Sequence, residues 1–351
     1  MSLPAYVEIG HDLLTALPRH LDSRDLGGNT FIIADRNVGA LYGARTRELL
    51  ESTGRRVAYK EIPPGETAKA LSQTSALYGW LFEARAERGD LIIALGGGVI
   101  GDLVGFVAAT YMRGLRWAQI ATTLLAQVDS SIGGKVGVDL PGGKNLVGAF
   151  HPPSLSLLDI DLLSTLPPRQ LAAGWAEVIK HGAILDAKFF QLLEDQLHDL
   201  SDPSLLLLAV HRCVEIKAGV VQQDPFDRSL RAILNYGHTI AHAIEASTGY
   251  QRYLHGEAVA IGMAGAAAIG RRLGLIDAAV EQRQNDLLTR AGLPLKYESA
   301  SPGALLDAMT RDKKVVGGRP RWVLLEELGR ATPDHEVSPD LARATVENLR
   351  A

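Results

Sequence analysis

The chain has 351 residues, 46% hydrophobic and 22% charged, with 36 Lys+Arg against 40 Asp+Glu. That apolar share excludes disorder of the bulk, and a net charge of −4 argues against a general nucleic-acid binder. The single cysteine, Cys213, excludes an internal disulfide framework and any Cys-rich zinc or iron–sulfur site, so a metal must sit on His, Asp or Glu.

The length predicts two domains, here 1–166 and 167–351. The opening MSLPAYVEIGHDLL lacks the charged start and apolar core of a secretory leader. FIIAD (Phe31–Asp35) and VAYKEI (Val57–Ile62) read as strands, and Ala68–Ala86 as a helix. DLIIAL (Asp90–Leu95) is an apolar strand running into three glycines, followed by a helix over Val99–Thr110 and a strand in RWAQIATTL (Arg116–Leu124). Strands alternating with helices predict a parallel α/β sheet of Rossmann type, covered on both faces. After about residue 165 helical periods take over: Arg169–Leu185, Lys188–Leu197, Ser204–Val221, Ile233–Ser247, Glu257–Leu273 and Ala278–Ala291. This predicts an all-α second domain, with at most a hairpin in Arg319–Gly329. Ala258–Gly270, with 13 uncharged residues, is short of the roughly 20 that span a bilayer. It predicts a buried helix built for close packing, no membrane partner and a cytoplasmic setting.

Gly96-Gly97-Gly98-Val99-Ile100-Gly101 matches G-x-G-x-x-G between a strand and a helix, where free N–H groups and the dipole favour a pyrophosphate. The strand is not the first, and no acid follows at the usual distance; Asp35, after an earlier strand, can take the ribose instead. Gln127–Asn145 is so rich in glycine that it reads as a shaped loop, in which Lys135 and Lys144 hold an anion or merely face solvent.

In the helical half, AEVIKHG places Glu177, Lys180 and His181 within one turn. NYGHTIAHAIE places His238 and His242 at i,i+4, and YLHGEA adds His255 and Glu257. A His/His/carboxylate set suits a catalytic zinc, and spacing alone favours pairing His238 with His242. Each histidine can equally be satisfied by one hydrogen bond. Arg231 precedes the histidine helix, and Lys313 and Lys314 form a charge run that either closes an anionic pocket or is a solvated face.

Together these segments resemble the 3-dehydroquinate synthases, of the sugar phosphate cyclase family. The resemblance runs through GGGVIGDLVGFVAATYMRG (Gly96–Gly114), TTLLAQVDSSIGGKVGVDLPGGKNLVGAFHPP (Thr122–Pro153), LAAGWAEVIKHG (Leu171–Gly182), RAILNYGHTIAHAIE (Arg231–Glu245), LHGEAVAIGM (Leu254–Met263) and DKKVVGG (Asp312–Gly318). It implies an N-terminal NAD-binding domain, a helical metal-binding domain, an active site between them and a homodimer. It implies zinc or cobalt on Glu177, His238 and His255, which makes His242 a substrate contact. NAD contacts fall on Asp35, Asn37, Glu66, Lys69, Gly97, Gly98, Asp102, Thr122, Thr123, Lys135, Lys144 and Thr165. Substrate contacts fall on Asp129, Lys135, Lys144, Asn145, Lys180, Lys217, Arg231, Asn235, His242 and one of Lys313 and Lys314. Arg113 matches an arginine that reaches the neighbouring subunit's site.

One stretch departs from the family pattern D-x-x-E-x-G-x-R: Asp224–Arg231 reads DPFDRSLR, with Asp227 for Glu and Ser229 for Gly. The implied reaction turns 3-deoxy-D-arabino-heptulosonate 7-phosphate into 3-dehydroquinate and phosphate, with NAD regenerated each turnover and a lyase as the net class. A polyol dehydrogenase of the glycerol dehydrogenase type would need no dense phosphate site. Another sugar-phosphate cyclase would differ at the carboxylate positions, and Lys217, Arg231, Asn235 and His242 favour the dehydroquinate enzyme.

Overall fold

In the first half the apolar runs become strands: β1 (Val7–Gly10), β2 (Thr30–Asp35), β3 (Val57–Ile62), β4 (Leu91–Gly96), β5 (Arg116–Ala121), β6 (Lys135–Leu140), β7 (Gly143–Phe150) and β8 (Leu155–Asp159). The computed structural model describes residues 3–141, 143–298, 300–311 and 321–351. Six strands pair in the order β1-β8-β5-β4-β2-β3, every pair parallel. All six residues of β4 are buried, as a strand covered on both faces requires. One core lies around Ile33, Ile92 and Val104, and the other around Ile32, Ile93 and Leu157. The sheet reverses its direction of growth between β2 and β4, and the glycine run leaves the C-terminal end of β4 at that switch point. Strands β1 and β8 are additions to the sequence reading.

The chain divides into two compact units, Met1–Leu166 with Leu206–Ala218, and Pro167–Leu205 with Gly219–Ala351. Residues 206–218, read from the sequence as part of the second domain, group with the first. The glycine-rich Gln127–Asn145 stretch is not one loop. A turn at Ala126–Ser130 leads into an antiparallel β6–β7 hairpin. Gly137 and Gly148 face each other across it, and a Cβ on Gly148 would stand 2.4 Å from the Val136 carbonyl oxygen. Close backbone approach outweighs the usual cost of glycine in a strand.

The second unit is helical, with the main helices at Pro168–Leu185, Ala187–Gln196, His238–Ser247, His255–Arg272 and Ala278–Arg290. It is not wholly α. Strands β9 (Trp322–Glu327) and β10 (Arg330–His335) form an antiparallel hairpin, further along the chain than the sequence reading placed it. The continuous helix read over Ile233–Ser247 is in fact a 3-10 turn, Leu230–Asn235, and a separate helix beginning at His238. Gly237 breaks it with φ 80, a left-handed conformation open to glycine.

The Ala/Gly run is the buried helix the sequence predicts, and Ala258–Ala264 are all buried. A Cβ on Gly262 would lie 1.9 Å from the Gly237 carbonyl oxygen. Backbone therefore rests on backbone, and this sets the distance between the helices that begin with His238 and His255. Gly262→Ala should push them apart and destabilise by about 2 kcal/mol or more, as overpacking does. Thermal unfolding measures the loss, and zinc affinity should fall with it. Among the described residues no helix is long and apolar enough to cross a membrane.

Candidate active site

Glu177 lies midway along Pro168–Leu185, inside the wholly buried run Ala173–Ile184, and its side chain is fully buried. Burying a carboxylate costs several kcal/mol unless opposite charge compensates it. Lys180, one turn on and itself buried, forms an ion pair with Glu177 Oε2. The other oxygen, Oε1, lies 3.6 Å from His238 Nε2 and 3.7 Å from His255 Nε2. These separations are long for hydrogen bonds. Two donors each about 2.1 Å from a tetrahedral ion stand about 3.4 Å apart, so the spacing suits a shared metal. Among the described residues, Glu177, His238 and His255 form the group whose donor atoms all lie within 4.8 Å of one another. The chemistry also fits, since one carboxylate and two imidazoles leave a fourth position open.

Each imidazole is held by its other nitrogen. His238 Nδ1 donates to the Tyr236 carbonyl at 3.1 Å, and His255 Nδ1 donates to Glu245 Oε1 at 3.3 Å. Both Nε2 atoms are thereby turned toward Glu177. Burial works against charge on His255, but Glu245 and then Glu177 overcome it and hold its pKa up at about 10. His255 opens its helix. Glu257, two residues on, accepts the Leu254 N–H and a two-pronged contact from Arg169 at 2.7 and 2.8 Å. These contacts fix the first turn of that helix.

The i,i+4 pairing of His238 with His242 is not the one the structure makes. His242 meets His238 ring edge to ring at 5.5 Å and stays outside the donor group. One turn along the same face is enough to bring rings together, but the third donor comes from another helix. His181 donates Nδ1 to the Glu177 carbonyl, 2.7 Å away, and is fully buried.

The departing loop is organised by Asp224. Its carboxylate accepts the backbone N–H groups of Arg228, Ser229 and Arg231. Those bonds, led by Arg228, lower its pKa to about 2. Arg231 is buried and donates Nη1 to the Pro225 carbonyl at 3.3 Å. Asp227 sits at φ 55, while Ser229, at φ −155, needs no glycine. Asn235 ends the 3-10 turn just before Gly237. A depressed carboxylate pKa stabilises the fold above the ordinary value of about 3.9, and the contribution fades as pH falls toward the native value. Asp224→Asn should therefore lower the melting temperature by a constant amount at neutral pH. The gap should close as pH falls from about 4 toward 2, which a pH series of thermal melts reads directly.

The first unit gathers a second set of residues. Because β2, β3, β4, β5 and β8 run parallel, their C-terminal ends share one edge of the sheet. Asp35 ends β2 and Asn37 follows it, and Glu66 and Lys69 follow β3. Gly97, Gly98 and Asp102 follow β4, Thr122 and Thr123 follow β5, and Thr165 lies beyond β8. Gly97 has no side chain to cap the helix Gly98–Thr110, so that helix's first N–H groups are open to an anion. Lys69 bonds Asp102 at 2.5 Å. Burial pushes the Asp102 carboxyl up, against the pull of that ammonium. Asp35 caps its own turn, accepting from the N–H groups of Asn37 and Val38, and Thr165 bonds the Tyr42 hydroxyl at 2.6 Å.

Lys144 lies 3.1 Å from Glu66. Lys217, nearly buried, donates to both the carbonyl and the carboxylate of Asp129 at 2.6 and 2.5 Å. Lys135 opens β6, and Asn145 takes φ 53 in β7. Arg113 is exposed at φ 68, after a helix that has already ended at Thr110. Lys313 and Lys314 lie outside the described residues. Sequence reasoning missed Glu245, although it stands seven residues after His238, two turns along one helix face.

A family model described as 3-dehydroquinate synthase N-terminal matches residues 59–173, and its C-terminal counterpart matches 174–315. A 3-dehydroquinate synthase of Symbiobacterium thermophilum is 46% identical, covering 99% of this chain and 98% of that protein. Among solved structures, 2-epi-5-epi-valiolone synthase from Streptomyces hygroscopicus subsp. jinggangensis, with NAD+ and Zn2+ bound, matches with a TM-score of 0.91 and 29% identity, covering 99% of this chain and 98% of that one. A 2-deoxy-scyllo-inosose synthase complexed with carbaglucose-6-phosphate, NAD+ and Co2+ matches with a TM-score of 0.88 and 29% identity, covering 97% and 96%. With both family models matched in order over a donor set of one carboxylate and two imidazoles, the chain belongs to the 3-dehydroquinate synthase family.

Proposed function

We propose that the chain is a cytoplasmic 3-dehydroquinate synthase, a lyase that converts 3-deoxy-D-arabino-heptulosonate 7-phosphate into 3-dehydroquinate and phosphate and works as a homodimer. The observation that carries this reading is the convergence of Glu177, His238 and His255, with Lys180 held against the same carboxylate. When bound, a zinc or cobalt ion on Glu177, His238 and His255 would supply Lewis-acid chemistry at a substrate hydroxyl, and NAD+ would supply reversible hydride transfer at that carbon.

The protein's own part is to hold and orient. Glu177, His238 and His255 are assigned to the metal. The β-strand ends, through Asp35, Asn37, Glu66, Lys69, Gly97, Gly98, Asp102, Thr122, Thr123 and Thr165, are assigned to the dinucleotide, aided by Lys135 and Lys144. Asp129, Lys135, Lys144, Asn145 and Lys217 in the first unit, and Lys180, Arg231, Asn235 and His242 in the second, are assigned to substrate. So many cationic and amide donors suit a ligand with one carboxylate and one phosphate. Lys217 is aimed by Asp129, and Arg231 by the Asp224 loop, so both enter the chemistry already oriented. Arg113 is assigned to the phosphate bound by the neighbouring chain.

The test is incubation of the zinc-loaded protein with the heptulosonate phosphate and catalytic NAD. Phosphate and 3-dehydroquinate should appear in equal amounts. Oxidation of a simple polyol without phosphate release would support the dehydrogenase reading instead.

A further inference from the structure

The two histidines of the donor set are supported differently. His238 Nδ1 is held by a neutral carbonyl, that of Tyr236, at 3.1 Å. His255 Nδ1 is held by a carboxylate, Glu245 Oε1, at 3.3 Å. The Glu245 side chain is 4% exposed, so this is a buried charge placed against a histidine. It belongs to the helix His238–Ser247, whereas His255 begins the next helix. Burying a carboxylate is unfavourable unless a positive partner compensates it. Glu177 is already one such buried carboxylate, and Lys180 lies against it.

The geometry points to Glu245 as the positioning residue for the metal. It orients His255, fixes its proton on Nδ1, and adds negative charge that favours a divalent cation on the far nitrogen. Glu245 supplies none of the three donor atoms of the set and acts through His255. A carboxylate behind an imidazole raises the basicity of the facing nitrogen more than a carbonyl does, because its charge stabilises positive charge on the ring. His255 is therefore the stronger of the two imidazole donors, and its strength depends on a residue outside the ligand set. The inference rests on the metal reading given under Proposed function.

Zinc affinity, measured by chelator competition on the full-length protein, separates the possibilities. The wild type should bind one zinc per chain. Glu245→Ala should weaken binding by about 10- to 100-fold, the usual range for losing such a partner. Glu245→Gln keeps an acceptor for Nδ1 without the charge, and should fall between Ala and wild type. The cobalt-loaded Ala variant should show a shifted visible absorption band, which a loss confined to folding would not produce. In a His255→Ala background, Glu245→Ala should add little further loss, because its action passes through the missing ring. If Glu245→Ala binds zinc within about threefold of wild type, or weakens it equally in both backgrounds, the inference is overturned. Should the Ala variant not fold, the Gln variant alone decides: unchanged affinity and an unchanged cobalt spectrum overturn it. A wild type that binds no zinc defeats the metal reading itself, a distinct outcome.

Discussion

Glu177→Gln, His238→Ala and His255→Ala should each lose bound metal and activity together, while His242→Ala keeps its metal and loses turnover. The three donors leave little redundancy, because each supplies one ligand atom and all lie within 4.8 Å. Glu177→Gln is the sharpest of them. It preserves size and burial but removes the charge that balances the ion, and it leaves Lys180 beside a neutral amide. Lewis-acid stabilisation is worth several kcal/mol, and about 1.4 kcal/mol is tenfold in rate, so activity should fall by more than about 100-fold. Metal content of the dialysed proteins, read beside steady-state rates, checks this. An empty site in His242→Ala with a filled one in His255→Ala would restore the i,i+4 pairing and contradict the geometry.

The next largest effect is expected at Arg113. As an exposed arginine beyond the end of a helix, its bland role is a dipole or solvent contact worth under about 1 kcal/mol. If it instead holds a phosphate across a dimer, the charge-assisted contact is worth about 1.5–3 kcal/mol. Arg113→Ala should then lower kcat/KM by roughly 10- to 100-fold. Lys144→Ala should also be impaired, since Lys144 is placed in the same chemistry. Mixing the two variants under conditions that exchange subunits should recover activity, because one site in each mixed dimer keeps its own Lys144 and receives an intact Arg113. Absence of recovery, with exchange proven, returns Arg113 to its bland role.

The parallel sheet was legible because β2 and β4 are apolar runs of the right length, the first ending at an acid and the second at glycine. Strand β1 was not legible, since VEIG is only four residues long, too short for its alternation to stand out, and is mostly half-buried. The β6–β7 hairpin was hidden by glycines whose cost is offset by close approach across the pair, a tertiary fact. The helix break at Gly237 was hidden for a similar reason: a glycine inside a helical period reads as tolerated until the neighbouring helix is seen to press on it. At the site, residue types and the one-turn grouping of Glu177 and Lys180 could be read directly. Spacing could not choose among His238, His242 and His255, because the third donor comes from the start of another helix. The family motifs carried that choice, and the donor distances agree with it. Glu245 lay in the quoted motif, but nothing in a one-dimensional pattern says which histidine a glutamate two turns away will meet.

If oxidation and reduction occur within one turnover, a single NAD serves many cycles, and the number of turnovers per NAD reads this out. Zinc-loaded protein is given one NAD per chain and a large excess of the heptulosonate phosphate. Phosphate release is followed together with absorbance of the reduced nicotinamide. Many equivalents of phosphate and 3-dehydroquinate per NAD are expected, with no net accumulation of NADH. Product that stops at one equivalent while NADH rises to match it would rule out an internal redox cycle and place the chain among the dehydrogenases.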